Sequence, residues 1–122
     1  MKKFLLHFEV LVLSCVVLAV AVNGAYSQSY PNKPIRIIMP YAPGGNNDIR
    51  ARLVAEKLTE SQGQQVYVEN VPGADGAIGL EKGAKSAPDG YTLIWGNNGS
   101  LVSATCLRKT VPYDPLKDFE YI

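Results

Sequence analysis

Three short runs rich in β-branched and aromatic residues, each followed by a turn and a segment of helical character, set the strongest limit on what this chain can fold into. Residues 35–41 read IRIIMPY, residues 66–69 VYVE and residues 91–95 YTLIW. Runs of this length and composition suit buried or half-buried strands. Pro40 has no N–H to give to a ladder, so the first strand is expected to end there. Beyond it, Ile49, Leu53, Val54 and Leu58 fall at helical spacing, with Arg50, Glu56, Lys57 and Glu60 elsewhere. Those four apolar residues are the expected core face of a helix that Gly63 closes. A shorter helix is expected over 77–85, with Ile78, Leu80 and Ala84 as partial core and Gly79 and Gly83 weakening it. Residues 87–90 (APDG) form a turn, and a third helix is expected from Leu101 to Leu107. Residues 111–118 read as an extended connection and 119–122 as the opening of another strand. The order β-α-β-α-β-α implies an α/β fold, a parallel sheet with helices on its faces.

The N-terminal segment stands outside that pattern. Lys2 and Lys3 precede a mostly apolar stretch, 4–22, and then small and polar residues, Asn23-Gly24-Ala25-Tyr26-Ser27. This is the pattern of a secretory signal peptide, residues 1–27, with cleavage after Ser27 and a rival site after Ala25. An uncleaved membrane anchor is the alternative, although His7 and Glu9 interrupt the stretch and 10–22 is short for a bilayer. Cys15 belongs to the hydrophobic region. Removing 27 of the 122 residues leaves 95, a small core for an α/β domain.

Composition then excludes several chemistries. The full chain has 12 Lys+Arg against 11 Asp+Glu, a net charge of +1. No basic stripe favours nucleic acid. The only histidine, His7, lies in the leader, so the remaining chain has no Ser-His-Asp or Cys-His pairing. With no His and only Cys106, no metal site is expected. Asp118 and Glu120 are the only closely spaced acids, and nothing in the spacing asks for a general acid/base pair. There is no G-x-x-x-x-G-K-[ST] or G-x-G-x-x-G motif, and the run Gly73, Gly76, Gly79 reads as a turn. No cofactor is expected, and the chain is not expected to be an enzyme. Cys106 is expected to be a small buried residue and Trp95 to be core.

Two turns remain that carry chemistry. The first is Ala42-Pro43-Gly44-Gly45-Asn46-Asn47-Asp48; the second is Gly96-Asn97-Asn98-Gly99-Ser100. Each lies between a strand and a helix, at the strand end where parallel sheets bind ligands. Gly44 and Gly45 let a ligand approach the backbone. Free amides at a helix N-terminus, with its dipole, attract an anion without Lys or Arg. Asn46, Asn47, Asn97, Asn98 and Ser100 add donors and acceptors. Asp48 suits a helix cap, a ligand ammonium or hydroxyl, or a held water. Ordinary helix capping explains the same residues and stays open beside ligand binding.

The strings YPNKPIRIIMPYAPGGNNDIRARLVAEKL (30–58), VYVENVPGADGAIGLEKGAKSAPDGYTLIWGNNGS (66–100) and VPYDPLKDFEYI (111–122) resemble Bug-type receptors. These are the TctC-like extracytoplasmic solute-binding proteins of tripartite tricarboxylate transporters. The combination A-P-G-G-x-x-D, V-E-N-x-P-G-A-x-G, A-P-D-G-Y-T-L and P-Y-D-P-x-K-D-F carries the resemblance. It implies a periplasmic-binding-protein-like fold of the type II, Venus-flytrap kind, with residues 28–122 a partial first lobe that ends at the crossover to a second. It implies a periplasmic receptor that binds a small organic carboxylate and delivers it to the membrane permease subunits of a transporter. It assigns Pro43, Gly44, Gly45 and Asp48 to one ligand loop, and Gly96, Gly99 and Ser100 to the other. The family commonly continues the second loop as Thr-His-x-x-Asn-Pro. Residues 100–105 here are SLVSAT, so contacts from that helix start depart from the pattern. The rivals are a truncated remnant that does not bind, and a small α/β enzyme acting on phosphate or acyl groups through Gly44-Gly45.

Overall fold

A computed structural model describes residues 29–122. The expected signal peptide lies outside the described residues. Strands β1 (Ile35–Met39), β2 (Val66–Asn70) and β3 (Thr92–Ile94) form one parallel sheet in the order β2-β1-β3. Between them run α1 (Asn46–Gln62) and α2 (Ala77–Ala84), the latter entered through a 3₁₀ turn, Ala74–Gly76. After β3 the chain winds through a π-helical turn, Gly99–Ser103, into α3 (Ala104–Leu107).

β1 is central because its sequence can be buried on both faces. Ile35, Ile37, Ile38 and Met39 are all buried, and Arg36 is the one polar residue among them. On one face Ile35 and Ile37 pack with Ala55 of α1 and Val66, flanked by Leu58, Val68, Leu93 and Trp95. On the other, Ala77 and Leu80 of α2 pack with Tyr113, flanked by Ile94, Leu101, Val111 and Phe119. Burying a side chain such as Ile38 contributes on the order of 1.5–3 kcal/mol. Arg36 is satisfied on its face by Glu69 (3.1 Å), Thr92 (3.3 Å) and Ser86 (3.4 Å).

The expected strands, helices and parallel order are present, but several details differ. Ile78, expected as partial core of α2, is exposed; Ala77, Gly79, Leu80 and Gly83 are the buried residues there. The buried stripe of α1 is Asp48, Ala51 and Ala55; Ile49, Leu53 and Val54 are exposed. Alanines let the helix axis approach the sheet closely, so the small residues face inward and the bulky ones do not. Gly79 and Gly83 are contact points rather than weak ones. A Cβ on Gly79 would lie 2.8 Å from Pro40 Cα, and one on Gly83 would lie 2.1 Å from Ile94 Cδ1. Cys106 is exposed, not buried, because α3 is one short turn with only Ala104 turned inward. Residues 119–122 form no strand. Gly63 does close α1 in the left-handed conformation, at φ 67°, its amide bonded to Thr59 O.

Candidate functional site

Parallel pairing brings the C-terminal ends of all three strands to one edge. The chain leaves β1 through Pro40 and Tyr41, β2 through Val71 to Gly76, and β3 through Trp95 to Gly99. Val71 N–H bonds Met39 O (2.8 Å) and Trp95 N–H bonds Ile38 O (2.9 Å), extending the pairing past the last strand residues. The two turns singled out in the sequence therefore lie side by side. The Tyr41 hydroxyl donates to Asn97 Oδ1 at 2.9 Å and ties them together.

In the first turn Pro43, Gly44, Gly45 and Asn46 are exposed, Asn47 is half-buried and Asp48 is buried. Gly44 takes φ 86°, a conformation glycine adopts freely. Gly45 is the N-cap of α1 and has no side chain to cap the helix. The first intrahelical bond is Ile49 N–H to Gly45 O, at 3.0 Å. The amides of Asn46, Asn47 and Asp48 precede it and have no acceptor among the described residues. They sit at the positive end of a 17-residue helix.

Asp48 faces the other way, into the protein. Oδ2 accepts from Gly44 N–H (2.9 Å) and Arg52 Nε (3.0 Å); Oδ1 accepts from Arg52 Nη2 (3.1 Å) and Asn70 Nδ2 (2.8 Å). The Arg52 guanidinium first, then the Gly44 amide and the Asn70 amide, hold its carboxyl down to about 2. Four hydrogen bonds fill the acceptor capacity of a carboxylate. Its charge is met by Arg52, so the negative group does not cancel the field at the helix start. Asn70 completes the frame: Nδ2 also donates to Tyr41 O (3.0 Å), and Oδ1 accepts from Arg52 Nη2 (2.8 Å).

In the second turn Gly96 and Asn98 are exposed, while Asn97 and Gly99 are half-buried. Asn97 is the working cap. Its Oδ1 accepts from Ser100 N–H (3.0 Å) and Ser100 Oγ (3.2 Å), and its carbonyl accepts from Leu101 N–H (2.9 Å). Ser100 is wholly buried, with amide and hydroxyl both turned to Asn97. The amides of Asn98 and Gly99 have no acceptor among the described residues. Beneath them, the buried Tyr113 hydroxyl donates to Ser100 O, and burial raises the pKa of that phenol. Gly76 borders both turns: a Cβ there would lie 3.1 Å from Ser100 Cβ and 3.4 Å from Tyr41 Oη.

The eleven residues expected from the sequence thus fall into two groups. Asn46, Asn47, Asn98 and Gly99 present unpaired amides, with Pro43, Gly44, Gly45 and Gly96 exposed around them. Asp48 and Ser100 are internal struts, and Asn97 joins the turns. Sequence reasoning missed Tyr41, Asn70, Arg52 and Tyr113 as parts of the frame. An Arg four residues after an Asp was a readable pairing signal; the contacts of Tyr41 and Tyr113 span strands and had none.

A family model for the tripartite tricarboxylate transporter family receptor matches residues 50–122. A UPF0065 protein of Bordetella bronchiseptica is 43% identical over 110 residues, covering 90% of this chain and 33% of the relative. The chain spans about a third of the length of the curated relatives it matches. Among solved structures, periplasmic binding protein BugD superposes with a TM-score of 0.71 at 38% identity, over 75% of this chain and 30% of that one. MatC from Rhodopseudomonas palustris, solved with bound malate, superposes with a TM-score of 0.71 at 37% identity, over 74% of this chain and 31% of that one.

Proposed function

Because this chain belongs to the tripartite tricarboxylate transporter receptor family, we propose that it forms part of the carboxylate-binding lobe of an extracytoplasmic solute receptor. One observation supports this reading: the Tyr41–Asn97 bond ties the two turns together, and each turn carries amides without an acceptor among the described residues, those of Asn46, Asn47 and Asp48 in the first and of Asn98 and Gly99 in the second. Several N–H groups directed toward one region can share the negative charge of a carboxylate without a cationic side chain. Arg52, on the same helix, is already engaged by Asp48 and Asn70. Malate bound to a relative of the same fold supports a small organic acid as ligand.

The ligand leaves unchanged. A second lobe would close over it, and the closed form would present a new surface to the permease subunits of the transporter, binding shifting the open–closed balance. Residues 1–27 would direct export to the periplasm.

Calorimetric titration of the purified chain with malate, succinate, adipate and citrate tests the reading. Saturable binding of at least one acid, abolished by competition among them but not by glucose, is the expected result. No heat with any of them, in a chain that melts cooperatively, would remove the reading.

A further inference from the structure

Chemistry leaves the Asn97 side chain only one orientation. The Ser100 backbone amide can only donate, and it lies 3.0 Å from Oδ1. A rotation of the amide by 180° would set NH₂ against N–H and lose that bond. The same oxygen also receives the Tyr41 hydroxyl at 2.9 Å and Ser100 Oγ at 3.2 Å. With Oδ1 held by three donors, Nδ2 keeps two N–H groups that have no acceptor among the described residues. Among the described residues no buried side-chain nitrogen lacks a partner, so the unpartnered Nδ2 is open to solvent.

The three donors are not equivalent. Ser100 is three residues from Asn97 and moves with the same turn. Tyr41 is 56 residues away, on the chain leaving the neighbouring strand. Tyr41 is itself anchored, because its carbonyl accepts from Asn70 Nδ2 at 3.0 Å. Phenylalanine removes only the hydroxyl, the atom that reaches the amide oxygen and that would lie 3.4 Å from a Cβ on Gly76 and 3.9 Å from one on Gly99.

We infer that Tyr41 is a positioning residue for ligand binding: its hydroxyl holds the Asn97 oxygen inward and so presents Asn97 Nδ2 as a fixed donor to a carboxylate oxygen of the solute. The inference rests on the carboxylate-receptor reading above. Without the hydroxyl the turn keeps its cap through Ser100, but Asn97 loses its tie to β1, and the donor must be ordered when ligand arrives. That ordering lowers affinity while leaving the fold in place.

The test uses the full chain as wild type, Tyr41→Phe, Asn97→Ser and the double variant, titrated with malate and succinate. Serine keeps an N-cap oxygen for the Ser100 amide but removes Nδ2. Each single variant is expected to weaken binding by about tenfold, the scale of one hydrogen bond to a charged group. The double variant is expected to bind no worse than Asn97→Ser, because Tyr41 acts through the group already removed. A purely structural Tyr41 would instead add its loss to that of Asn97→Ser, and that outcome overturns the inference. Equal affinity of Tyr41→Phe and wild type also overturns it and leaves the receptor reading standing. A wild type that binds none of malate, succinate, adipate and citrate overturns both. A ligand-free readout is independent of affinity: the Asn97 side-chain NH₂ resonances should shift or broaden in Tyr41→Phe while the melting temperature holds. Unchanged resonances would refute the positioning role on their own.

Discussion

Asn70, the last residue of β2, donates from Nδ2 to Asp48 Oδ1 at 2.8 Å, so the end of one strand holds the first turn of the helix that precedes it in sequence. The same Nδ2 reaches Tyr41 O at 3.0 Å. One side-chain amide thus fixes β1, β2 and α1 relative to each other at the edge where the turns converge. Asn70→Ala leaves a buried carboxylate oxygen and a backbone carbonyl each short of a donor. A loss of about 1–3 kcal/mol is expected in urea unfolding. A loss within about 0.5 kcal/mol would mean that water replaces the amide and that the frame does not depend on it.

The depressed Asp48 carboxyl gives the fold an acid limit. Its pKa is about 2 in the folded chain against an ordinary 3.8. A depressed folded pKa adds stability above the unfolded value, and that stability is lost as pH falls through the folded one. Glu69, Asp89 and Asp114, each lowered chiefly by hydrogen bonds, act in the same direction. The stability gap between wild type and Asp48→Asn should therefore be full near neutrality and narrow between about pH 4 and pH 2. Denaturant curves across pH 2–7 measure it; a gap independent of pH would show that Asp48 acts by shape and not by charge.

Gly45 separates capping from binding. Its φ of −78° is open to any residue, and an added Cβ would meet nothing closer than Ala42 O at 3.9 Å. Gly45→Ser supplies a hydroxyl to the amide of Asn47 or Asp48 and removes glycine's unfolded-state freedom, stabilising by about 0.5–1 kcal/mol. The same hydroxyl covers an amide that the carboxylate would use. Stability should rise and carboxylate affinity should fall, by calorimetry and thermal melting on one sample. A rise in both would place the ligand away from the start of α1.

Gly79 and Gly83 predict an order. Alanine raises helix propensity by about 1 kcal/mol at either position. At Gly79 the new methyl meets backbone, Pro40 Cα at 2.8 Å and Val71 O at 2.9 Å; at Gly83 it meets the flexible Ile94 side chain. Gly79→Ala should be net destabilising by about 1–3 kcal/mol, and Gly83→Ala distinctly less so. The reverse order in chemical denaturation would contradict the packing of α2 on the sheet.

Cys106 is exposed on α3. Ellman's reagent should titrate it in the native chain, without denaturant and without changing the melting temperature. Reaction only after unfolding would mean that α3 is covered.

The chain's local chemistry determined its elements. Alternation and β-branching marked the strands, Pro40 and Gly63 marked two ends, and their order required a parallel sheet whose two polar turns share an edge. Those are short-range consequences of backbone sterics and helical period. Which apolar face of α1 goes inward was not local: Ala51 and Ala55 win over Ile49, Leu53 and Val54 because closeness to the sheet matters more than side-chain size. Nor was the frame of the site. Tyr41 meets Asn97 and Asn70 meets Asp48 only after strands far apart in sequence lie a hydrogen bond apart. A hydrogen bond depends on distance and angle in space, and neither is set by spacing along the chain.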